Sequence, residues 1–162
     1  MNKKYILIID AILILGSLSA VFVFVNYAQP LVIAPIDNYE SSNNTVLFEF
    51  SKAELILIDE NIEFTSPREI YVEDNLVVNF KPGIYYWKVV GALESDIRQL
   101  TINSEIDLQL KETNEGYSVV NSGNTPLRVE LYENGAYTGE IILDVDESSG
   151  VEGDKFVGRE DE

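Results

Sequence analysis

The stretch "KPGIYYWKVVG", residues 81–91, couples a turn signal to three consecutive aromatic residues. In an extended strand Tyr85, Trp87 and Val89 share one face, while Tyr86, Lys88 and Val90 share the other. The first set is bulky and apolar, as a core-facing strand requires. The second carries a charge and a phenol, as an outward face tolerates. The three rings are therefore read first as the middle of a core, with Tyr86 turned outward.

The same alternation recurs on both sides of this strand. "TVLFEF" places Val46, Phe48 and Phe50 on one face, and "AELILID" is apolar on both faces, as a central strand is. "EIYVE", "NLVVNF" and "DIRQLTI" follow at close spacing, separated by Pro, Gly, Asn and Asp. No segment after residue 30 keeps a helical period. The fold class is all-β.

Phe80, Pro82, Tyr85, Trp87 and Val89 together resemble the corner entering strand F of a fibronectin type III or immunoglobulin-like β-sandwich. The resemblance covers about residues 36–102 and implies a tyrosine hydroxyl bonded back to the backbone, with the next inward side chains filling the core. The early-strand tryptophan of fibronectin type III modules is absent; Phe48 or Phe50 stands in its region. Residues 103–143, with "VVNSGNTPLRVEL", look like a second immunoglobulin-like module, of the kind repeated in membrane-anchored surface proteins of archaea and bacteria. Such families imply spacer, adhesive or assembly roles.

In that second group "EIDLQLK" sets Ile106, Leu108 and Leu110 against polar neighbours, the pattern of a half-buried strand. "LRVELYENGAYTGEIIL" places Asn134 and Gly135 between two β patterns, which predicts a type I′ hairpin because both central residues must take positive φ. Residues 144–162 form an acidic tail in which Phe156 and Val157 are an apolar pair. A closing edge strand is expected at 155–157, with 144–154 looped out. "DVDESSG", 144–150, alternates oxygen ligands as calcium loops do. Gly150 falls one place late, however, and Lys155 stands where a bidentate carboxylate is needed, so no metal site is assigned.

The amino-terminal end reads differently. "MNKK" precedes an apolar run from Tyr5 to Val25 long enough to cross a bilayer, and the next positive charge is Lys52. Retention as an anchor puts the lysines in the cytoplasm and the rest of the chain outside. Cleavage as a signal, with secretion, is the second reading. The organisation expected is an anchor at 1–28, a stalk with a first strand at 29–44, a β-sandwich at 45–102, a second β module at 103–143 and the tail.

Without Lys3, Lys4 and Asp10, the totals of 11 basic and 28 acidic residues become 9 and 27 beyond Tyr27. Nucleic acid is a poor partner for so acidic a surface. The absence of cysteine and histidine removes disulfides, thiolate nucleophiles, imidazole bases and ordinary zinc sites. Ser51 and Lys52 are adjacent and would face opposite ways in a strand. No catalytic residue and no cofactor is assigned, and an enzyme is not expected.

The partners expected are a protein or a cell-envelope component, with the membrane engaged through the helix and room for a homo-oligomer. Candidate partner-binding residues are Asp10, which shares a helix face with Ser17, then Tyr86 and Phe156; Tyr71, Tyr132 and Tyr137 are further exposed rings. Asn43 in "NNT" is a glycosylation acceptor pattern. Two rival functions are an accessory subunit of a membrane complex, recruited through Asp10, and a carbohydrate-binding module.

Overall fold

A computed structural model describes residues 3–72, 76–113 and 116–161. Glu73 and Asn75, which end and begin the "EIYVE" and "NLVVNF" patterns, lie outside the described residues. Among the described residues one helix, α1 (Lys3–Ala28), is followed by fourteen strands: β1 (Leu31–Ala34), β2 (Tyr39–Ser41), β3 (Thr45–Ser51), β4 (Ala53–Asp59), β5 (Arg68–Tyr71), β6 (Leu76–Asn79), β7 (Gly83–Gly91), β8 (Arg98–Ile102), β9 (Leu108–Thr113), β10 (Gly116–Asn121), β11 (Leu127–Glu133), β12 (Ala136–Leu143), β13 (Ser148–Val151) and β14 (Lys155–Glu160). The protein is all-β, a β-sandwich fold after an amino-terminal apolar helix.

α1 is apolar all round and exposed along its length, apart from Ala28. Its 26 residues extend about 39 Å at 1.5 Å per residue, more than the hydrocarbon thickness of a bilayer, so it is long and apolar enough to cross a membrane. Only Gln29 and Pro30 separate it from β1. The segment read as stalk and first strand thus contains β1 and β2, with little free linker. Lys52, at the tight connection of β3 to β4, donates to the Tyr27 carbonyl at 3.0 Å, and its ammonium lies 5.0 Å from the centre of the Tyr27 ring.

The strands form four sheets, ordered β1-β3-β6, β2-β8-β7-β4-β5, β13-β10-β9 and β12-β11-β14. The chain divides into two compact units: Met1–Ile36, Leu47–Leu76 and Tyr86–Arg98 make the first, and Asp37–Val46, Val77–Tyr85 and Gln99–Glu162 the second. The boundary passes through β3, β6, β7 and β8.

In the first unit β4 is flanked by β5 and β7, both antiparallel; Ile56 and Ile58 on one of its faces are buried, and Leu55 and Leu57 on the other are half-buried. The alternation read from "IYYWKVV" holds at its centre, where Trp87 and Val89 are fully buried. Phe48 of β3 meets Trp87 edge-on, with ring centres 4.9 Å apart, and this contact joins two sheets face to face. Arg98 stacks 5.7 Å from the Trp87 ring and donates to the Pro35 carbonyl at 3.0 Å.

In the second unit Tyr85 donates its hydroxyl to the Lys81 carbonyl at 3.0 Å, and its ring lies 4.8 Å from Phe80. The hydroxyl thus bonds back to the backbone of the turn that enters β7. Tyr85 itself is half-buried. β2 runs parallel to β8, pairing Tyr39 with Leu100 and Ser41 with Ile102.

The second unit also holds two three-stranded sheets packed on each other. Val119 of β10 and Val151 of β13 face Leu127 and Val129 of β11 and Leu143 of β12; Leu108, Leu131, Ile141 and Phe156 pack around them. Asn134 and Gly135 take φ of 52° and 79° between the paired Glu133 and Ala136, so the two-residue hairpin is present as read. The turn after β10 is fastened by a buried asparagine. Asn121 donates through Nδ2 to the carbonyls of Thr125, Leu143 and Asp144, and its Oδ1 accepts from Gly123 N at 3.0 Å.

Two expectations need correction. "EIDLQLK" was expected to be a half-buried strand, yet Ile106 is exposed ahead of β9, and within β9 Leu108 is partly covered while Leu110 is exposed, because β9 is the edge of its sheet. Residues 144–154 were expected to loop out, yet Ser148–Val151 is β13, paired with β10. Its sequence, "SSGV", lacks the apolar alternation that marks a strand, and its position is secured by Val151 in the core and by pairing. β14 occupies Lys155–Glu160 and pairs antiparallel with β11.

Candidate interaction surface

The outward face of the β12-β11-β14 sheet follows from register. Residues opposite one another across paired strands point the same way. Leu127, Val129 and Leu131 of β11 enter the core, so Arg128, Glu130 and Tyr132 point out. Their partners are Ile142, Glu140 and Tyr137 on β12, and Arg159, Val157 and Lys155 on β14. The result is a three-by-three lattice of side chains, mostly charged or aromatic, on a sheet pinned by the Asn134–Gly135 hairpin.

Its contacts are specific. Tyr132 and Tyr137 meet edge-to-face with ring centres 5.8 Å apart and planes at 74°. The Tyr132 hydroxyl donates to Glu130 at 2.8 Å, and that bond, with burial and the carboxylate's charge, raises the phenol's pKa above its ordinary value. Burial first, and the Glu140 carboxylate next, raise that of Tyr137. Arg128 reaches Asp161 at 2.8 Å and 3.1 Å and Glu140 at 3.5 Å; the bond to Asp161 is the main reason its pKa rises. Arg159 lies 3.6 Å from Glu130, and Lys155 lies 5.2 Å from the Tyr132 ring. Glu130 and Glu140 face each other across β11 and β12, a like-charge pair that costs stability unless cations stand beside it. Arg128 and Arg159 supply them.

The candidate residues fall in several places. Asp10 and Ser17 are exposed on α1, and the Ser17 hydroxyl donates to the Ile14 carbonyl at 2.9 Å. Asn43 is exposed between β2 and β3; its Oδ1 accepts from Thr45 N at 2.8 Å. Phe156 is half-buried under the lattice and meets Tyr117 with ring centres 6.1 Å apart. Tyr86 lies on the face of β7 opposite to Trp87 and is half-buried. Lys88, on its face of β7, lies 5.0 Å from the Phe64 ring and bonds Glu94 at 2.7 Å, so this outer face is partly covered by loop residues. The structure brings Tyr132 and Tyr137 together and places Tyr71 and Tyr86 in the other compact unit. Lys52, next to Ser51, has φ 61° and turns its ammonium to Tyr27.

Sequence reading missed Arg128, Glu130, Glu140, Arg159 and Asp161. Period-2 alternation about Asn134–Gly135 aligns Tyr132 with Tyr137 but would set Glu130 opposite Gly139; the bulge between Leu131 and Tyr132, which brings Glu130 opposite Glu140, has no signal in the sequence. The pairing of β14 to β11, which brings Arg159 and Asp161 alongside, carries no local signal.

It also missed Asn124. This residue accepts from Glu105 N at 2.7 Å and donates to the carbonyls of Ser42 and Asn103 at 2.6 Å and 2.8 Å, while Asn44 donates to its own carbonyl at 3.2 Å. Four bonds thus tie three separate segments of the second unit together.

No family model matches the sequence, and the search of curated proteins found no relative. Among solved structures, the chain is similar to native alpha-2-macroglobulin from Escherichia coli spanning domains NIE-MG1, with 10% identity, a TM-score of 0.30, and coverage of 83% of this chain and 94% of that one. It is also similar to a chain of a chaperone–tip adhesin complex of CFA/I fimbriae biogenesis, with 12% identity, a TM-score of 0.21, and coverage of 81% and 88%. Both likenesses are remote, and the β-sandwich assignment rests on the chain's own strand pairing and core.

Proposed function

We propose that the protein is a non-catalytic, single-pass membrane protein whose β-sandwich region lies outside the cytoplasm and serves a structural, adhesive or protein-interaction role. The exposed apolar helix with Lys3 and Lys4 at its start supports the anchor and its orientation. The sheet orders β1-β3-β6 and β2-β8-β7-β4-β5, with the Tyr85 back-bond to Lys81, support an immunoglobulin-like or fibronectin type III-like first module.

The observation that carries the interaction role is the lattice on β12-β11-β14. Its tyrosines and paired charges are fixed by mutual bonds, so they present a pre-ordered surface at little entropic cost. The rival role in carbohydrate binding is weakened by the 74° angle between Tyr132 and Tyr137, because flat stacking on a sugar needs exposed ring faces lying in one plane.

A photo-reactive amino acid replacing exposed Tyr137 tests the role in intact cells. A discrete adduct on illumination, absent when the group replaces exposed Gln109 on β9, is expected. No adduct at Tyr137, or equal adducts at both sites, would overturn it.

A further inference from the structure

β14 is an edge strand, and the sandwich is not closed beside it. Leu110 of β9 pairs with the inward-facing Val119 and so points toward the core, yet it is 51% exposed. Tyr117, also on the inward face and in ring contact with Phe156 of β14, is 40% exposed. An apolar strip thus runs along an edge whose backbone groups on one side have no strand partner among the described residues. Asp161 N donates to the Pro126 carbonyl at 3.0 Å. The alternation of an antiparallel ladder then turns Arg159 and Val157 toward β11, and turns the backbone groups of Phe156, Gly158 and Glu160 to the open edge.

We propose that this edge pairs antiparallel with β14 of a second copy of the chain, about a two-fold axis at Gly158. The charge pattern chooses the occupant and the register. Lys155 and Asp161 lie three residues either side of Gly158 and both point outward, so each copy's Lys155 meets the other's Asp161. Arg159 then lies opposite Val157, and Phe156 opposite Glu160. A shift that moves each residue's partner two positions either way sets Lys155 against Arg159, or Arg159 against itself, and a one-residue slip puts outward residues opposite inward ones. Gly158 falls where the two strands face themselves, and it offers no side chain to crowd the axis. An edge of six residues is smaller than the ~1,000 Å² that a stable interface buries, so the pairing depends on the concentration that a shared membrane imposes. The inference goes beyond the role proposed above, since it concerns the open edge of the β12-β11-β14 sheet and not its outward face.

Because the chain has no cysteine, introduced thiols report alone. Val157→Cys and Arg159→Cys together, in the full-length chain in its membrane, should give a disulfide-linked dimer on oxidation. Opposite residues in a non-hydrogen-bonded pair lie about 4.5 Å apart at Cα, within disulfide reach. Either cysteine alone should give little dimer. In the paired-cysteine background, Lys155→Glu or Asp161→Lys should each lower the yield about five-fold, and both together should restore it, since the two changes exchange charges across the axis. The Arg128–Asp161 bond is lost in the double variant too, so rescue cannot come from that contact. A cooperative melt under reducing conditions shows that each variant is folded. No dimer from folded protein, equal dimer from Val157→Cys alone, links only to a different protein, or no response to the charge reversals would overturn the proposal. An adduct at position 137 obtained alongside such a failure would leave the broader interaction role standing.

Discussion

Trp87 illustrates what one residue contributes. Its ring is fully enclosed against Phe48 and Arg98. Trp87→Ala should therefore lower unfolding free energy by about 3–5 kcal/mol, whereas half-buried Tyr86→Ala should lose less, and chemical denaturation of the two variants checks the ranking. Asn121→Ala would leave several enclosed backbone groups without their partner and should destabilise by about 1–3 kcal/mol or more in the same measurement. The acidity of Asp59 adds a pH effect. Backbone donors at Ser66 and Asn61, chiefly Ser66, lower its pKa, so the order it gives the loop is present above the usual carboxylate range and lost as pH falls through the lowered value. Protection of the Ser66 amide, taken relative to its intrinsic exchange rate at each pH, should fall on acidification, and Asp59→Asn should blunt that response.

Trp87 was legible because period-2 alternation is local. The roles of Asn121 and Asn124 were not, because their partners lie as far off as Ser42 and Asp144.

Elements were legible in proportion to how much of their pairing is local. The β11–β12 hairpin could be read from Asn134 and Gly135 alone, and replacing Gly135 with Val, a β-branched residue at φ 79°, should destabilise it by about 1–3 kcal/mol in thermal melts. β9 shows the converse. Its alternation is clear, but being an edge it leaves Leu110 exposed, and edge position is a property of the sheet. β13 had no pattern to read. β14 completes the sheet over Leu127, Val129 and Leu131, so deletion of everything after Gly153 should lower the melting temperature and increase binding of an apolar dye. An unchanged melt would mean that the core is closed without it.

At the scale of the whole molecule, three facts converge: an exposed apolar helix of 26 residues, two residues between it and the first strand, and a strongly acidic β region held without disulfides. The first and last were plain in composition. A first strand was legible within 29–44, and β1 lies there; β2 was not, because prolines and polar residues make the rest of that segment read as a stalk. The candidate surface was legible only in pieces, as Tyr132, Tyr137 and Phe156, since its charges assemble through the return of the chain at β14. The central claim is that a retained helix holds this β region on the outer side of a membrane. Glu152→Cys at an exposed site of the otherwise cysteine-free chain, treated in intact cells with a membrane-impermeant maleimide, tests it most directly. Labelling before lysis, on a full-length product that sediments with the membrane, is expected; labelling only after lysis, or on a shortened product free of the membrane, would contradict the account.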